Sequence, residues 1–284
     1  MTKLYTIKEI EKKAVIIREN IIKMLEAAGS GHSAGSLGLA DIFAALYFSV
    51  LKHDPKNPDW DQRDVLVVSN GHIAPVRYAA MAEAGYFPKT ELKTLRKLGS
   101  RLQGHPERTR LPGLESTSGP LGSGLSQACG MALAFQMDKT PNRHIYVTMG
   151  DGELDEGNVW EAAMLASKYA LNITAIIDRN NIQIDGATEE VMPLGDLKAK
   201  WQSFGWHVIE IDGNDVEAVI DACAMGRAIT EKPVCIIAYT IPGKGVDFME
   251  YDFHWHGIPP NREQASLALK ELRTLGGKIK AEQE

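Results

Sequence analysis

From residue 145 to residue 239 the chain repeats one rhythm. Apolar runs of strand length fall at 145–149, 173–177, 207–211 and 234–239, and helix-length segments separate them at 156–169, 194–204 and 216–230. Strands that alternate with helices must run parallel, because each helix carries the chain back to the starting edge. The rhythm therefore predicts an α/β fold, a mostly parallel sheet with helices on both faces. All its strands would end on one edge, which is where open sheets of this class bind ligands.

Upstream the pattern is looser. Ile10, Ala14, Ile17, Ile21 and Leu25 recur at helical spacing among charged residues, which predicts an amphipathic helix over 7–26. Further helices are expected over 38–50, 74–84, 89–98 and 126–137, and a buried strand over 65–69. Residues 99–124 read as a long irregular segment, and segments of that length in compact chains are usually either functional or disordered. After another Gly/Pro/aromatic loop at 242–260, a last helix over 262–275 leads to a charged tail, 276–284. No repeat and no linker-like stretch divides the 284 residues, so 1–284 reads as one domain.

Composition narrows the function classes. Hydrophobic residues make up 44%, enough for a sizeable core. The net charge of −6 speaks against a nucleic-acid or anionic-membrane partner. Cys129, Cys223 and Cys235 are far apart and form no CxxC pair, so neither structural zinc nor a disulfide framework is expected. The most hydrophobic helix candidate contains Asp41 and is short of a membrane span. No apolar signal core follows Met1. A cytoplasmic location fits these features.

Two strand ends carry candidate chemistry. Gly150-Asp151-Gly152 closes the run at 145–149, and Asp178-Arg179-Asn180-Asn181 closes the run at 173–177. A carboxylate, a carboxamide and a backbone carbonyl form a hard oxygen half-shell that Mg²⁺ or Ca²⁺ accepts when phosphate oxygens complete it. The glycines beside Asp151 would let a diphosphate approach the backbone. By themselves these residues admit two readings, a strand-to-helix turn and a cation–diphosphate half-site, and the spacing does not separate them.

Histidines add a second signal. His32, His72 and His105 each follow a glycine, and His256 precedes Gly257. All four fall in loops that could reach the strand-end rim, which favours a polar-substrate site served by imidazoles. His53, His144 and His207 lack that context and read as structural; His254 is left open. Glu156 and Glu161 are either first-turn acids favourable to a helix dipole or residues facing a partner chain. Lys244, in Pro242-Gly243-Lys244-Gly245, lacks the spacing of a nucleotide P-loop.

Taken in order, several segments resemble transketolase: Gly31-His32, Ser69-Asn70-Gly71-His72, Gly104-His105-Pro106-Glu107, Ser118-Gly119-Pro120-Leu121-Gly122, Gly150-Asp151-Gly152 through Asn180, Ile184-Asp185-Gly186 and His256-Gly257. The resemblance runs from about Ile10 to Pro260. It covers only the diphosphate-binding domain of that family, so the chain resembles the N-terminal subunit of a split transketolase, with a thiamine-diphosphate-binding fold.

The resemblance implies roles. Asp151 and Asn180 would hold the divalent metal through their side chains, and Ile182 through its carbonyl. Gly150 belongs to the same diphosphate turn, and Gly152 would give its N–H to a phosphate. His72 and His256 would contact the diphosphate or nearby substrate oxygens. Gly119 and Leu121 would line the cofactor, and Ile184 would pack on its thiazolium. His32, His105 and His256 would face sugar hydroxyls and assist proton transfer. Glu156 would lie at the subunit contact, close to the cofactor-activating glutamate of the other chain. The implied partner is a C-terminal subunit carrying the pyrimidine-binding domain, in an α2β2 assembly acting on sugar phosphates.

Three positions depart from the family pattern. They are Ser33-Ala34-Gly35 after His32, the spacing His254-Trp255-His256-Gly257, and Arg179 where an acid is frequent. The first two bear on substrate, and none is expected to touch the metal set. Rival assignments are the α subunit of a 2-oxoacid dehydrogenase, which leaves His32, His72 and His105 unexplained, a transketolase-like enzyme acting on an unusual, branched or sulfonated sugar, a deoxyxylulose-phosphate synthase fragment, and a non-catalytic cofactor-binding module.

Overall fold

The computed structural model describes residues 5–139 and 143–281. Five strands form the main sheet: β1 (Val65–Val68), β2 (Ile145–Gly150), β3 (Ile173–Arg179), β6 (His207–Asp212) and β7 (Val234–Tyr239). A short antiparallel pair, β4 (Ile182–Gln183) and β5 (Gly186–Ala187), lies between β3 and β6 in the chain. The sheet order is β1-β2-β3-β7-β6, and every neighbouring pair is parallel. The helices are α1 (Ile7–Ala28), α2 (Ala34–Gly38), α3 (Ala40–Ala45), α4 (Ala74–Ala84), α5 (Ser123–Met137), α6 (Gly157–Lys168), α7 (Thr188–Val191), α8 (Leu197–Ser203), α9 (Val216–Ala228) and α10 (Arg262–Ala281).

Strand side chains point alternately to opposite faces, and the sheet sorts its residues accordingly. Leu66, Val68, Tyr146, Ile176 and Ile236 join one buried cluster with α1, α3, α4 and α9. Val65, Val67, Ile145, Val147, Met149, Ala175, Ile177 and Ile237 join a second cluster with α5, α6 and α8. Both faces need apolar residues, which is why β2 and β3 read as unbroken apolar runs rather than alternating ones. Cys129, Cys223 and Cys235 are buried as free thiols in these clusters.

Local chemistry sets the element ends. Thr6 and Glu9 make a capping box at α1: Thr6 Oγ1 accepts the Glu9 N–H, and Glu9 accepts the Thr6 N–H. The expected α1 stripe, Ile10, Ala14, Ile17, Ile21 and Leu25, is buried. Gly29, with φ 63°, closes the helix and sends the chain toward His32. Asp41 is buried as well, and Arg18 binds it in two-point geometry across the helix pair.

Several sequence expectations need correction. The helix over 38–50 is three pieces: α2, α3 and a π-helical turn, Leu46–Val50. The segment 89–98 holds only a 3₁₀ helix, Lys89–Thr94, whose single buried residue, Leu92, cannot anchor a longer one. α10 continues to Ala281, so residues 276–281 of the expected tail are helical; residues 282–284 lie outside the described residues. The helix gains length by packing Ala268 and Leu272 into the cluster that contains α1.

Candidate active site

Because the strands are parallel, β1, β2, β3 and β7 deliver Asn70, Asp151, Asn180 and Thr240 to one edge. A cleft of about 280 Å³ opens there. It is lined by His32, His72, His105, Gly119, Leu121, Gly150, Asp151, Gly152, Asn180, Ile182, Ile184 and His256, together with Glu153, Asp178 and Gln183. Every site residue expected from sequence converges here except Glu156. That residue is the exposed N-cap of α6 and packs beside Gly122, outside the cleft wall.

The floor is a hydrogen-bonded frame. Asp151 is 1% exposed. Its Oδ1 accepts the Gly152 N–H at 2.8 Å, and its Oδ2 accepts the Asn181 N–H at 2.8 Å. The Gly152 amide, expected to face a phosphate, is thus directed at Asp151. Asn180 Oδ1 accepts the Ile182 N–H at 3.0 Å, while its Nδ2 donates to Asp178 Oδ2 at 2.8 Å. Thr240 donates its hydroxyl to the other Asp178 oxygen. Burial pushes the Asp178 carboxyl up to about 7, since Thr240 and Asn180 offset only part of that penalty and Asp151 adds like charge.

Sequence reading missed Asp178 and Glu153. Glu153 knots three elements together. It accepts the Ser69 hydroxyl from the end of β1, the Gly122 N–H at 2.8 Å and the Gly150 N–H at 3.1 Å. Burial raises its carboxyl too. Asp178 could have been noticed as a carboxylate closing an apolar parallel strand. Glu153 gave no such signal, because two of its three partners, Gly122 and Ser69, come from 31 and 84 residues away.

The upper wall is imidazole. His32, His72 and His256 form a triangle with ring centroids 5.0, 5.7 and 5.2 Å apart. His32 comes from the loop after α1, His72 from the 3₁₀ turn after β1, and His256 from the loop after β7. The Ser33 hydroxyl donates to the Ile258 carbonyl at 2.7 Å and ties the first loop to the third. Desolvation, then the neighbouring rings, pushes His32 down to about 4 and His72 well below its ordinary value. His256 is lowered by burial, and His105 by burial and Arg96. All four are neutral near pH 7, so each offers one N–H donor and one lone pair. His32 Nδ1 and His256 Nδ1 are buried without a hydrogen-bond partner.

His254, left open above, turns outward onto Asp252 at 2.6 Å. His53 binds Tyr86 and the Tyr47 carbonyl, and His144 binds Thr174, so both are structural. On the open side, Leu121 and Ile184 are exposed by 40% and 63%. Gly119, φ 153°, adopts a backbone that side-chain-bearing residues rarely take, and a Cβ there would meet nothing within 4 Å.

These residues fit a cation-bound diphosphate ester. Two cleft-lining imidazoles, His32 and His256, each keep a buried Nδ1 without a partner, a side-chain-free turn lies at Gly150, and Asp151 and Asn180 supply oxygens. No group of three His, Cys, Asp or Glu side chains suited to a metal occurs among the described residues. The expected metal set has one carboxylate only and would rely on phosphate for the rest. One expectation fails: Arg179 does reach the metal set, its Nη1 lying 3.1 Å from Asp151 Oδ2.

Comparison with known proteins shows the family. Residues 10–276 match the family described as transketolase, thiamine diphosphate binding domain. A 6-deoxy-6-sulfo-D-fructose transketolase subunit from a Clostridium species is 43% identical over 269 residues, which cover 94% of this chain and 98% of that one. An apulose-4-phosphate transketolase subunit from Phocaeicola vulgatus is 40% identical over 256 residues, 90% of each chain. The crystal structure of transketolase from Campylobacter jejuni superposes with a TM-score of 0.88 at 34% identity. It is matched over 95% of this chain but only 43% of its own length. The chain therefore belongs to the transketolase family, as its thiamine diphosphate-binding domain.

Proposed function

We propose that this chain is the N-terminal subunit of a two-chain transketolase, working with a C-terminal subunit that carries the pyrimidine-binding domain in an α2β2 assembly. The reaction moves a two-carbon ketol unit from a ketose to an aldose. The observation that carries the reading is the convergence, at one sheet edge, of Asp151, Asn180 and the His32–His72–His256 triangle. Relatives of nearly equal length that are named transketolase subunits support the two-chain form.

Bound thiamine diphosphate supplies the electron sink for breaking and making the carbon–carbon bond. Asp151, Asn180 and the Ile182 carbonyl hold Mg²⁺ or Ca²⁺ against its diphosphate. Glu153 and Asp178 fix the strand ends so that these ligands keep their positions. Leu121 and Ile184 give the organic part an apolar, water-excluding contact. His32, His105 and His256 receive and return protons at sugar hydroxyls; being neutral, they present a lone pair as well as an N–H. Glu156, outside the cleft, faces the partner subunit.

The substrates are ketoses and aldoses with a terminal anion, phosphate or sulfonate. The relatives named for 6-deoxy-6-sulfofructose and for apulose 4-phosphate support that class. Calorimetry with thiamine diphosphate and Mg²⁺, and ketol-transfer assays with and without the C-terminal subunit, test the proposal. Binding to this chain alone should be weak, with turnover only in the mixture. Full activity from this chain alone would overturn the two-chain reading.

A further inference from the structure

Arg179 leaves the end of β3 between Asp178 and Asn180 and is 9% exposed. Its Nη1 lies 3.1 Å from Asp151 Oδ2, and its Nη2 is hydrogen-bonded to Glu189 on α7. Glu189 is much more open, its side chain 43% exposed, and it also accepts the Leu194 and Gly195 amides at 3.4 Å. One guanidinium is therefore shared between a buried carboxylate and a solvent-facing one. Arg179 is not needed to orient Asp151. The Gly152 and Asn181 amides already hold one oxygen each at 2.8 Å. What Arg179 adds is charge, and beside a buried group that charge is poorly screened.

We propose that Arg179 tunes the cation affinity of this site: by sharing its charge between Asp151 and Glu189, it weakens the hold of Asp151 on a divalent cation, so that the cation binds firmly only together with a diphosphate. Arg179 thus acts through the charge it places on Asp151 and not on the cation directly, and Glu189 sets how strongly it acts. The inference rests on Asp151 being the cation ligand, as proposed above.

The test titrates Mn²⁺ into the full chain and reads free Mn²⁺ by electron paramagnetic resonance, with and without thiamine diphosphate. Without the cofactor, Arg179→Met should bind Mn²⁺ on the order of tenfold more tightly, the size that outer-shell partners typically carry. Glu189→Gln, which leaves the guanidinium to Asp151 alone, should bind it more weakly. With thiamine diphosphate present, the difference between Arg179→Met and the unaltered chain should shrink. A purely structural role for Arg179 would weaken binding in both variants. Equal or weaker Mn²⁺ affinity in a folded Arg179→Met overturns the proposal. So does unchanged affinity in Glu189→Gln, whose exposed site makes unfolding no explanation. A separate failure is visible against the unaltered chain: if Asp151→Ala binds Mn²⁺ and thiamine diphosphate as well as that chain does, the cation assignment itself falls.

Discussion

The two ends of the same parallel sheet bury carboxylates under opposite conditions. At the entry end, Asp64 precedes β1 and is almost inaccessible. It accepts the Lys52 amide at 2.8 Å and the His144 amide at 3.1 Å, and Arg227 closes an ion pair on it. At the exit end, Asp178 receives a hydroxyl and a carboxamide but no cation, and Glu153 receives a hydroxyl and two amides. Burial therefore pushes the Asp178 and Glu153 carboxyls up, while the third buried carboxylate of this end, Asp151, has the Arg179 guanidinium beside it. The entry end neutralises its charge within the chain. The exit end leaves charge and imidazole nitrogens in excess, as a site does when a guest completes it.

The comparison predicts that entry-end changes cost stability and exit-end changes cost binding. Asp64→Ala should cost the most, about 3 kcal/mol of unfolding free energy, because it leaves two backbone amides without their buried acceptor and removes the ion pair to the partly exposed Arg227. Denaturant unfolding measures it; a loss of cofactor affinity in the folded variant, without a stability change, would break the contrast.

Acid comes next. Desolvation holds His144 at about 4, against an ordinary 6.5. Above pH 6.5 neither state binds a proton there, and the full stability is present. Below that the unfolded chain protonates first, so stability falls between pH 6.5 and about 4. His144 alone contributes up to roughly 3 kcal/mol of that loss. In a stability-versus-pH series, His144→Gln should flatten the slope in this window.

At the exit end, Asp151→Ala should reduce Mg²⁺-dependent thiamine diphosphate affinity by more than the roughly tenfold to hundredfold that losing an outer-shell partner costs, read by calorimetry, with a much smaller effect on unfolding than Asp64→Ala. The smallest effect sharpens the contrast most. Asp178→Asn removes a buried charge that lacks a cation, so the fold should gain up to about 1 kcal/mol while cofactor affinity drops. A destabilised Asp178→Asn with unchanged affinity would mean that the exit-end carboxylates serve the fold alone.

Much of the exit end was legible in the chain because its residues lie next to the punctuation of strands. Asp151, Asn180 and His72 each follow an apolar run within a few positions. Neighbouring glycines announced His32 in the short turn after α1, and His105 and His256 in the two long loops. Less legible was whatever depends on a partner far along the chain. The segments 38–50 and 89–98 carry helical spacing, yet the first is divided into three helical pieces and the second, with Leu92 its one buried helical residue, keeps only a 3₁₀ helix. Glu156, expected at a subunit contact, lies exposed beside Gly122 and does not line the cleft, a placement that spacing along the chain could not supply.

The order of apolar runs and glycine-flanked polar residues determined that this chain would build a parallel sheet with Asp151, Asn180 and the loop histidines at one edge. Periodicity is a local property, and strand direction follows from it. Tertiary structure decided which carboxylates are left without a cation and that Arg179 reaches across to Asp151. It also decided that three imidazoles meet in a triangle and stay neutral. Those outcomes depend on strand register and on the water excluded by distant segments, and neither is encoded within any one stretch of sequence.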